Sequence, residues 1–204
     1  ELENTRRKRS LSELKSRAGD APPGVDVIQA LDRKQWETSR VIAELKRKTP
    51  FRGELREDFD PVAIAEDFMK NGAAAISILT ESHHFGGSLD FLTRVRGEID
   101  IPLLRKDFIF DEYQVYESRA FGADWFLLIS TSLEKNHLFD LLELGKEIGL
   151  PALVENHDEE DMEKAFWVGA QLIGINNRNL TNGKTDLGIS RRLLDRGGFE
   201  SDCI

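Results

Sequence analysis

The chain has 204 residues, 40% of them apolar and 32% charged, a balance that suits one sizeable globular core. Its formal net charge of -9 argues against nucleic acid or an anionic membrane surface as partner, while an anionic small molecule could still bind a local basic cluster. A single cysteine, Cys203, excludes an internal disulfide and fits a reducing, cytoplasmic compartment, and no run approaches the roughly 20 apolar residues of a membrane span.

No secretory signal is visible, and the sequence begins at Glu1 rather than Met, so the start of the reading frame is expected to be missing or removed. Residues 1–20 are highly charged. Within them "SLSELKSRA" offers Ser10 or Ser12 as a helix cap, with Leu11 and Leu14 on one face. "DAPPGVD" then breaks the helix with two prolines and a glycine. Residues 1–40 are expected to form a region of their own, ahead of the segment 41–204.

From residue 41, short apolar runs alternate with amphipathic stretches. The runs are "VIAEL" (41–45), "AAISIL" (74–79), "IPLLR" (101–105), "WFLLI" (125–129), "PALVE" (151–155) and "QLIGI" (171–175). Each has strand length, and several lack alternation, as parallel strands covered on both faces do. The intervening stretches predict helices. "DEYQVYESRAFG" starts on Asp111 as a cap and carries Tyr113, Tyr116 and Ala120 at helical spacing. "LEKNHLFDLLELGKEIG" places Leu138, Leu141, Leu142 and Ile148 on one stripe. "HDEEDMEKAFWVG" has Asp158 as a cap, then Met162, Ala165 and Phe166. Three segments echo one another: "NGAAAI", "FGADWF" and "VGAQLI" each end a helix on glycine, at Gly72, Gly122 and Gly169, in the left-handed closing position.

These are six βα units, the sixth helix being "ISRRLLDR". An open doubly wound sheet and a closed eight-fold barrel both fit that rhythm. No G-x-G-x-x-G follows the first strand, which weakens the dinucleotide-binding form; the barrel form needs two more units.

The polar residues gather at one end of the strands. Glu44 and Lys46 lie two apart on the first. Lys106 ends the third, Glu155 the fifth, and Asn176 and Arg178 follow the sixth. Any one of these alone reads as a solvated loop residue. Together, on parallel strands, they converge on the C-terminal mouth where barrel enzymes do their chemistry. Two lysines facing two carboxylates suit general acid–base catalysis. His83 and His84 are adjacent and lack metal-ligand spacing, and no nucleophile motif is present.

The segments "IAELKRKTP", "AAISILTESHHFGGSLDFL", "PLLRKDFIFDEYQVYESRAFGAD", "LVENHDEEDMEKA" and "GAQLIGINNRNL" closely resemble the indole-3-glycerol phosphate synthase family, from about residue 8 to about residue 194. The resemblance implies a (β/α)8 TIM barrel with an N-terminal extension helix. It implies ring closure of 1-(2-carboxyphenylamino)-1-deoxyribulose 5-phosphate, with loss of carbon dioxide and water, and no cofactor or metal. By motif, Lys106 matches the general acid and Glu155 the residue that moves a proton at dehydration. Lys46 matches a lysine that contacts the substrate's anionic groups, and Glu44 the glutamate that orients the lysines. The division of acid and base roles between Lys46 and Lys106 stays open at this point. Asn176 and Arg178 match substrate-binding positions, Arg178 being suited to a carboxylate, and Thr49 stands at a substrate-binding position where the family more usually has serine before the proline. Phe85 and Phe108 match aromatic positions lining the ring pocket; without the resemblance both read as ordinary core residues. Fusion or association with other tryptophan-pathway enzymes is a further expectation.

The family's phosphate-binding segments follow its seventh and eighth strands, and no counterpart stands after "LLDR", where "GGFESDCI" follows. The chain is therefore expected to be a fragment or frameshifted product, with an inactive barrel fragment as the alternative function. Phosphoribosylanthranilate isomerase, another phosphosugar barrel, is disfavoured because its Asp and Cys acid–base pair is missing.

Overall fold

The computed structural model describes residues 2–32, 39–178 and 183–197. Helices α1 (Leu2–Lys8), α2 (Leu11–Asp20) and α3 (Val27–Leu31) precede strand β1 (Ile42–Leu45) and a small hairpin, β2 (Lys48–Thr49) and β3 (Gly53–Glu54). Then come α4 (Pro61–Lys70), β4 (Ala75–Leu79), α5 (Leu89–Arg96), β5 (Leu103–Lys106), α6 (Glu112–Ala120) and β6 (Trp125–Ile129). A 3-10 turn at Ser130–Ser132 leads to α7 (Lys135–Glu147), β7 (Ala152–Asn156), α8 (Glu159–Trp167), β8 (Leu172–Ile175) and α9 (Gly188–Gly197).

The six longer strands form one parallel sheet in the order β1-β4-β5-β6-β7-β8. Spatial order follows chain order with no reversal, which is the winding of a barrel and not of a doubly wound sheet. All six predicted strands are present, with bounds within two residues of the apolar runs. The hairpin β2–β3 and the helices α1 and α3 carry no strong periodic signal in the sequence.

Helix starts follow local chemistry. Ser10, Asp26, Asp60, Ser88, Asp111 and Asp158 each accept a hydrogen bond from a first-turn backbone N–H. Such a cap contributes about 1 kcal/mol. Ser10, not Ser12, is the cap of α2. Gly72, Gly122 and Gly169 close their helices at φ +88, +95 and +69, as the echo predicts. In α8, Met162 and Ala165 are buried while Phe166 stays 45% exposed.

Two apolar layers follow from the period of two along each strand. Leu45, Ile76, Ile78, Leu103, Phe126, Leu128, Ala152 and Val154 pack outward against the helices. The alternate residues Ile42, Ala75, Leu104, Trp125, Leu153 and Leu172 pack inward at the amino-terminal end, where Val27 and Leu31 of α3 join them. That end is filled by apolar side chains, so the polar inward positions lie toward the other end. Asp124 ties the extension to this floor, accepting from Val25 N and Leu103 N, each at 2.8 Å, and from Arg96 at 2.6 Å. Higher up, α2 lies on α6, and Tyr113 Oη donates to Thr5 O and Arg9 O at 3.2 and 3.1 Å.

Candidate active site

The inward register of the strands carries the polar residues to one level. Glu44 pairs with Ser77, Leu79 with Lys106, and Ile129 with Glu155. Moving two residues along each strand takes the inward position from the apolar floor to this polar rim: Leu104 to Lys106, Leu153 to Glu155.

There a cavity of about 510 Å³ opens, lined by Lys46, Thr49, Phe85, Lys106, Phe108, Glu155, Asn176 and Arg178 together with apolar Leu79, Leu127 and Ile129. Thus eight of the nine predicted site residues share one cavity. The ninth, Glu44, reaches it through Lys46, whose ammonium donates to Glu44 Oε1. Lys106 Nζ donates to Glu155 Oε2 at 2.9 Å, and Asn176 Nδ2 donates to Glu155 Oε1 at 3.0 Å. Each lysine thus has its own carboxylate partner. Burial works to raise the Glu155 carboxyl, but the Lys106 ammonium, the Asn176 hydrogen bond and the nearby His157 outweigh it and hold the group below its ordinary value.

Arg178 is exposed at the rim, with its backbone N–H bound to Asn176 Oδ1 at 2.9 Å. Thr49 Oγ1 accepts from Arg52 N at 3.1 Å, closing the tip of the hairpin beside the cavity. Phe85 and Phe108 are not core residues. Phe108 is 43% exposed, and the two rings face each other across the mouth with centroids 6.5 Å apart. Their exposure follows from their places in loops past β4 and β5, beyond the packed layers.

Hydrogen-bond networks in and behind the cavity wall, which Asp107 also lines, fix this geometry. Asp107 accepts from Thr80 Oγ1 at 2.5 Å and from Arg105 at 3.2 Å, and its other oxygen accepts from Phe108 N at 2.8 Å. Arg105 is itself held by Glu117 at 3.0 Å; burial raises the Glu117 carboxyl against the pull of that guanidinium. Asn156 accepts from Ser130 Oγ at 2.7 Å and donates to Gly174 O at 3.2 Å, joining the tips of β6, β7 and β8.

The sequence reading missed Glu81, which also lines the cavity. Its carboxylate accepts from His83 N, His84 N and Phe85 N at 2.8, 2.7 and 3.1 Å and shapes the loop that carries Phe85. The signal was available: Glu81 continues the inward count of β4 through Ser77 and Leu79. A larger cavity of about 600 Å³ lies at the opposite end, between Arg17, Arg96, Arg119 and Asp124; it brings no lysine and carboxylate pair to a shared apolar wall. Among the described residues, no group of three His, Cys, Asp or Glu is placed to hold a metal ion, and no helix is long and apolar enough to cross a membrane. The "FESDCI" segment and Cys203 lie outside the described residues.

A mouth with two ammonium groups, a guanidinium, held carboxylates and an aromatic wall can bind an anionic aromatic molecule and move protons on it. The family model described as indole-3-glycerol phosphate synthase matches residues 1–202. The indole-3-glycerol phosphate synthase of Campylobacter jejuni subsp. doylei is 51% identical over 171 residues, covering 84% of this chain and 66% of that protein. The enzyme of the same name from Campylobacter curvus is 42% identical over 200 residues, covering 92% and 77%. That from Streptomyces griseus is 49% identical, covering 87% and 65%. The chain thus spans about two thirds of the length of most of these relatives. Among solved structures, a 3-keto-L-gulonate-6-phosphate decarboxylase from Vibrio cholerae superposes with a TM-score of 0.52 at 14% identity, over 67% of this chain and 62% of that one. A 4-hydroxy-2-oxoglutarate aldolase from TTHB1 gives 0.51 at 16% identity, over 74% and 63%. At these identities the likeness is one of fold.

Proposed function

The chain belongs to the indole-3-glycerol phosphate synthase family, and we propose that its mouth closes the indole ring of 1-(2-carboxyphenylamino)-1-deoxyribulose 5-phosphate with loss of carbon dioxide and water. The observation that carries this reading is the convergence of Lys46, Lys106, Glu155, Asn176 and Arg178, from the ends of four strands, on one cavity walled by Phe85 and Phe108.

In this reading the substrate's aromatic ring lies between the phenylalanines. Arg178 or Lys46 holds its carboxylate. Lys106 gives its proton to the ketone oxygen as the aromatic carbon attacks, so that the developing alkoxide never stands unneutralised. The carboxylate then leaves as carbon dioxide. Glu155, ionised beside Lys106, then takes the proton lost from the ring nitrogen while the Lys46 ammonium gives one to the new hydroxyl, which departs as water. Glu44 keeps the Lys46 ammonium aimed into the mouth, and Thr49 and Asn176 hold the substrate in place. No cofactor enters this scheme. Residues 1–40 act as the extension and 41–204 as an incomplete catalytic barrel. A cytoplasmic location, a phosphorylated substrate and association with other enzymes of tryptophan biosynthesis belong to the same proposal.

The test follows indole fluorescence after adding substrate to the chain, alone and joined to the C-terminal third of the Campylobacter jejuni relative. Fluorescence that grows with either form and vanishes in Lys106→Ala supports the reading. Silence from both forms, or growth that ignores Lys106→Ala, overturns it.

A further inference from the structure

His157 lies two residues past Glu155, and the scheme above gives it no role. Its side chain is 14% exposed. Nδ1 lies 3.2 Å from Thr131 Oγ1 and 3.7 Å from Asp161 Oδ2. Thr131 donates its one proton to Asp161 Oδ2 at 2.5 Å. A hydroxyl whose proton is already committed can only accept, so Nδ1 carries the N–H. The backbone N–H of His157 also donates to Asp161 Oδ2, at 3.0 Å, which anchors that carboxylate.

The other ring nitrogen faces the site. Nε2 is buried, has no hydrogen-bond partner among the described residues, and lies 3.7 Å from Glu155 Oε1. With the proton on Nδ1, a neutral ring turns the Nε2 lone pair toward a carboxylate oxygen, so two acceptors oppose each other. One proton between them removes the conflict. It can sit on Nε2, giving an imidazolium beside a carboxylate, or on Oε1, giving a neutral pair.

We infer that His157 shares one proton with Glu155 and acts as the positioning residue that sets that carboxyl's readiness to give or take a proton. In the exchange the proton passes from Glu155 Oε1 to His157 Nε2, leaving a carboxylate and an imidazolium, while Nδ1–H stays with Thr131. The reverse step restores both neutral groups. The charged groups facing the ring are Glu155 from β7 and Asp158 and Asp161 from the start of α8; the turn after β6 contributes only neutral Thr131. Farther out, Lys106 holds the second oxygen of Glu155, and Lys164 lies 3.8 Å from Asp161 Oδ1. The contact with Asp161 raises the imidazole; burial opposes it, and the negative charges of Glu155, Asp161 and Asp158 add to the rise, so the ring stands above its ordinary value of 6.5.

The inference rests on reading Glu155 as the proton-transfer group, but its test needs no turnover. The ring carbons of His157 and the side-chain carboxyl carbon of Glu155 are followed by NMR against pH in the full chain. The expected wild-type imidazole midpoint lies above 6.5. It moves to lower pH in Glu155→Gln. By linkage, the Glu155 midpoint moves to higher pH in His157→Gln by the matching amount. The two variants change different residues, so either one that folds decides the matter. An unmoved His157 midpoint in Glu155→Gln, or an unmoved Glu155 midpoint in His157→Gln, overturns the shared proton while leaving the lyase reading intact. An inactive protein with coupled midpoints does the reverse.

Discussion

Lys106 Nζ reaches Glu155 Oε2 at 2.9 Å although β6 lies between their strands. The reach is possible because both side chains point inward at the level set by Leu79↔Lys106 and Ile129↔Glu155. The pair is partly buried, with side-chain exposures of 26% and 11%. A charge in such a place needs a partner, and here the partner also holds it over the cavity.

Lys106→Gln keeps the length of the side chain nearly intact but removes the transferable proton. Under the proposed function, kcat falls by about 100- to 10,000-fold, the range for loss of a general acid. KM changes far less, because the contacts that Arg178 or Lys46 makes to the substrate's carboxylate remain. Steady-state indole fluorescence measures both. Equal loss in kcat/KM and 1/KM with kcat unchanged would reassign Lys106 to substrate binding.

The Glu155 carboxyl is held below its ordinary value of 4.5 in the folded chain. A depressed carboxyl contributes stability above its unfolded pKa and loses it as pH falls through the folded value. Thermal unfolding of wild type and Glu155→Gln therefore differs most near neutral pH, with wild type higher. The gap closes below pH 4.5. In a Lys106→Met background the gap at neutral pH shrinks, since Lys106 is the chief charge holding the carboxyl down. A gap independent of pH would show that ionisation of Glu155 does not favour the fold.

The strands and the mouth were legible because each strand changes abruptly from apolar to ionisable at its tip, as at Leu104–Arg105–Lys106 and Val154–Glu155. Loop geometry was not. Phe108 looks like any apolar residue until its place past the end of β5 is known, and Glu81 looks like a solvated loop acid until its three backbone partners appear. His157 was hidden for another reason: its role depends on Thr131 from a distant turn, a contact that no local period announces. Carrying the inward count past each strand end would have flagged Glu81, Phe108, Thr131, His157 and Arg178 together. The filled floor was equally silent, since α3 is only five residues long and its Val27 and Leu31 gain meaning from Trp125 and Leu104.

At that floor, Asp124→Ala removes one acceptor from three donors: Val25 N, Leu103 N and the Arg96 guanidinium. Burial raises this carboxyl even against those donors, so it is costly to place and costlier to lose. The expected destabilisation is about 3 kcal/mol, read as a shift in the urea midpoint at constant slope. Asp124→Asn keeps an acceptor oxygen and should lose less. Equal losses would assign the cost to charge alone.

The loop that carries Phe85 depends on two neighbouring features, and they predict different outcomes. Glu81→Gln keeps one carbonyl oxygen for the three amides of His83, His84 and Phe85, so part of the loop's order survives. Glu81→Ala leaves all three without that acceptor and should raise KM several-fold, with a stability loss of about 1–3 kcal/mol. Gly87→Ala acts through space instead: a Cβ there would stand 2.3 Å from Leu79 O, a backbone atom at the end of β4. Neither side can yield without moving the strand tip or the loop, so the cost is about 1–3 kcal/mol and Phe85 shifts away from Phe108. The 6.5 Å ring separation in a crystal structure of each variant measures the displacement. If Gly87→Ala leaves the rings in place and stability unchanged, the close approach at Leu79 does not fix this wall of the cavity.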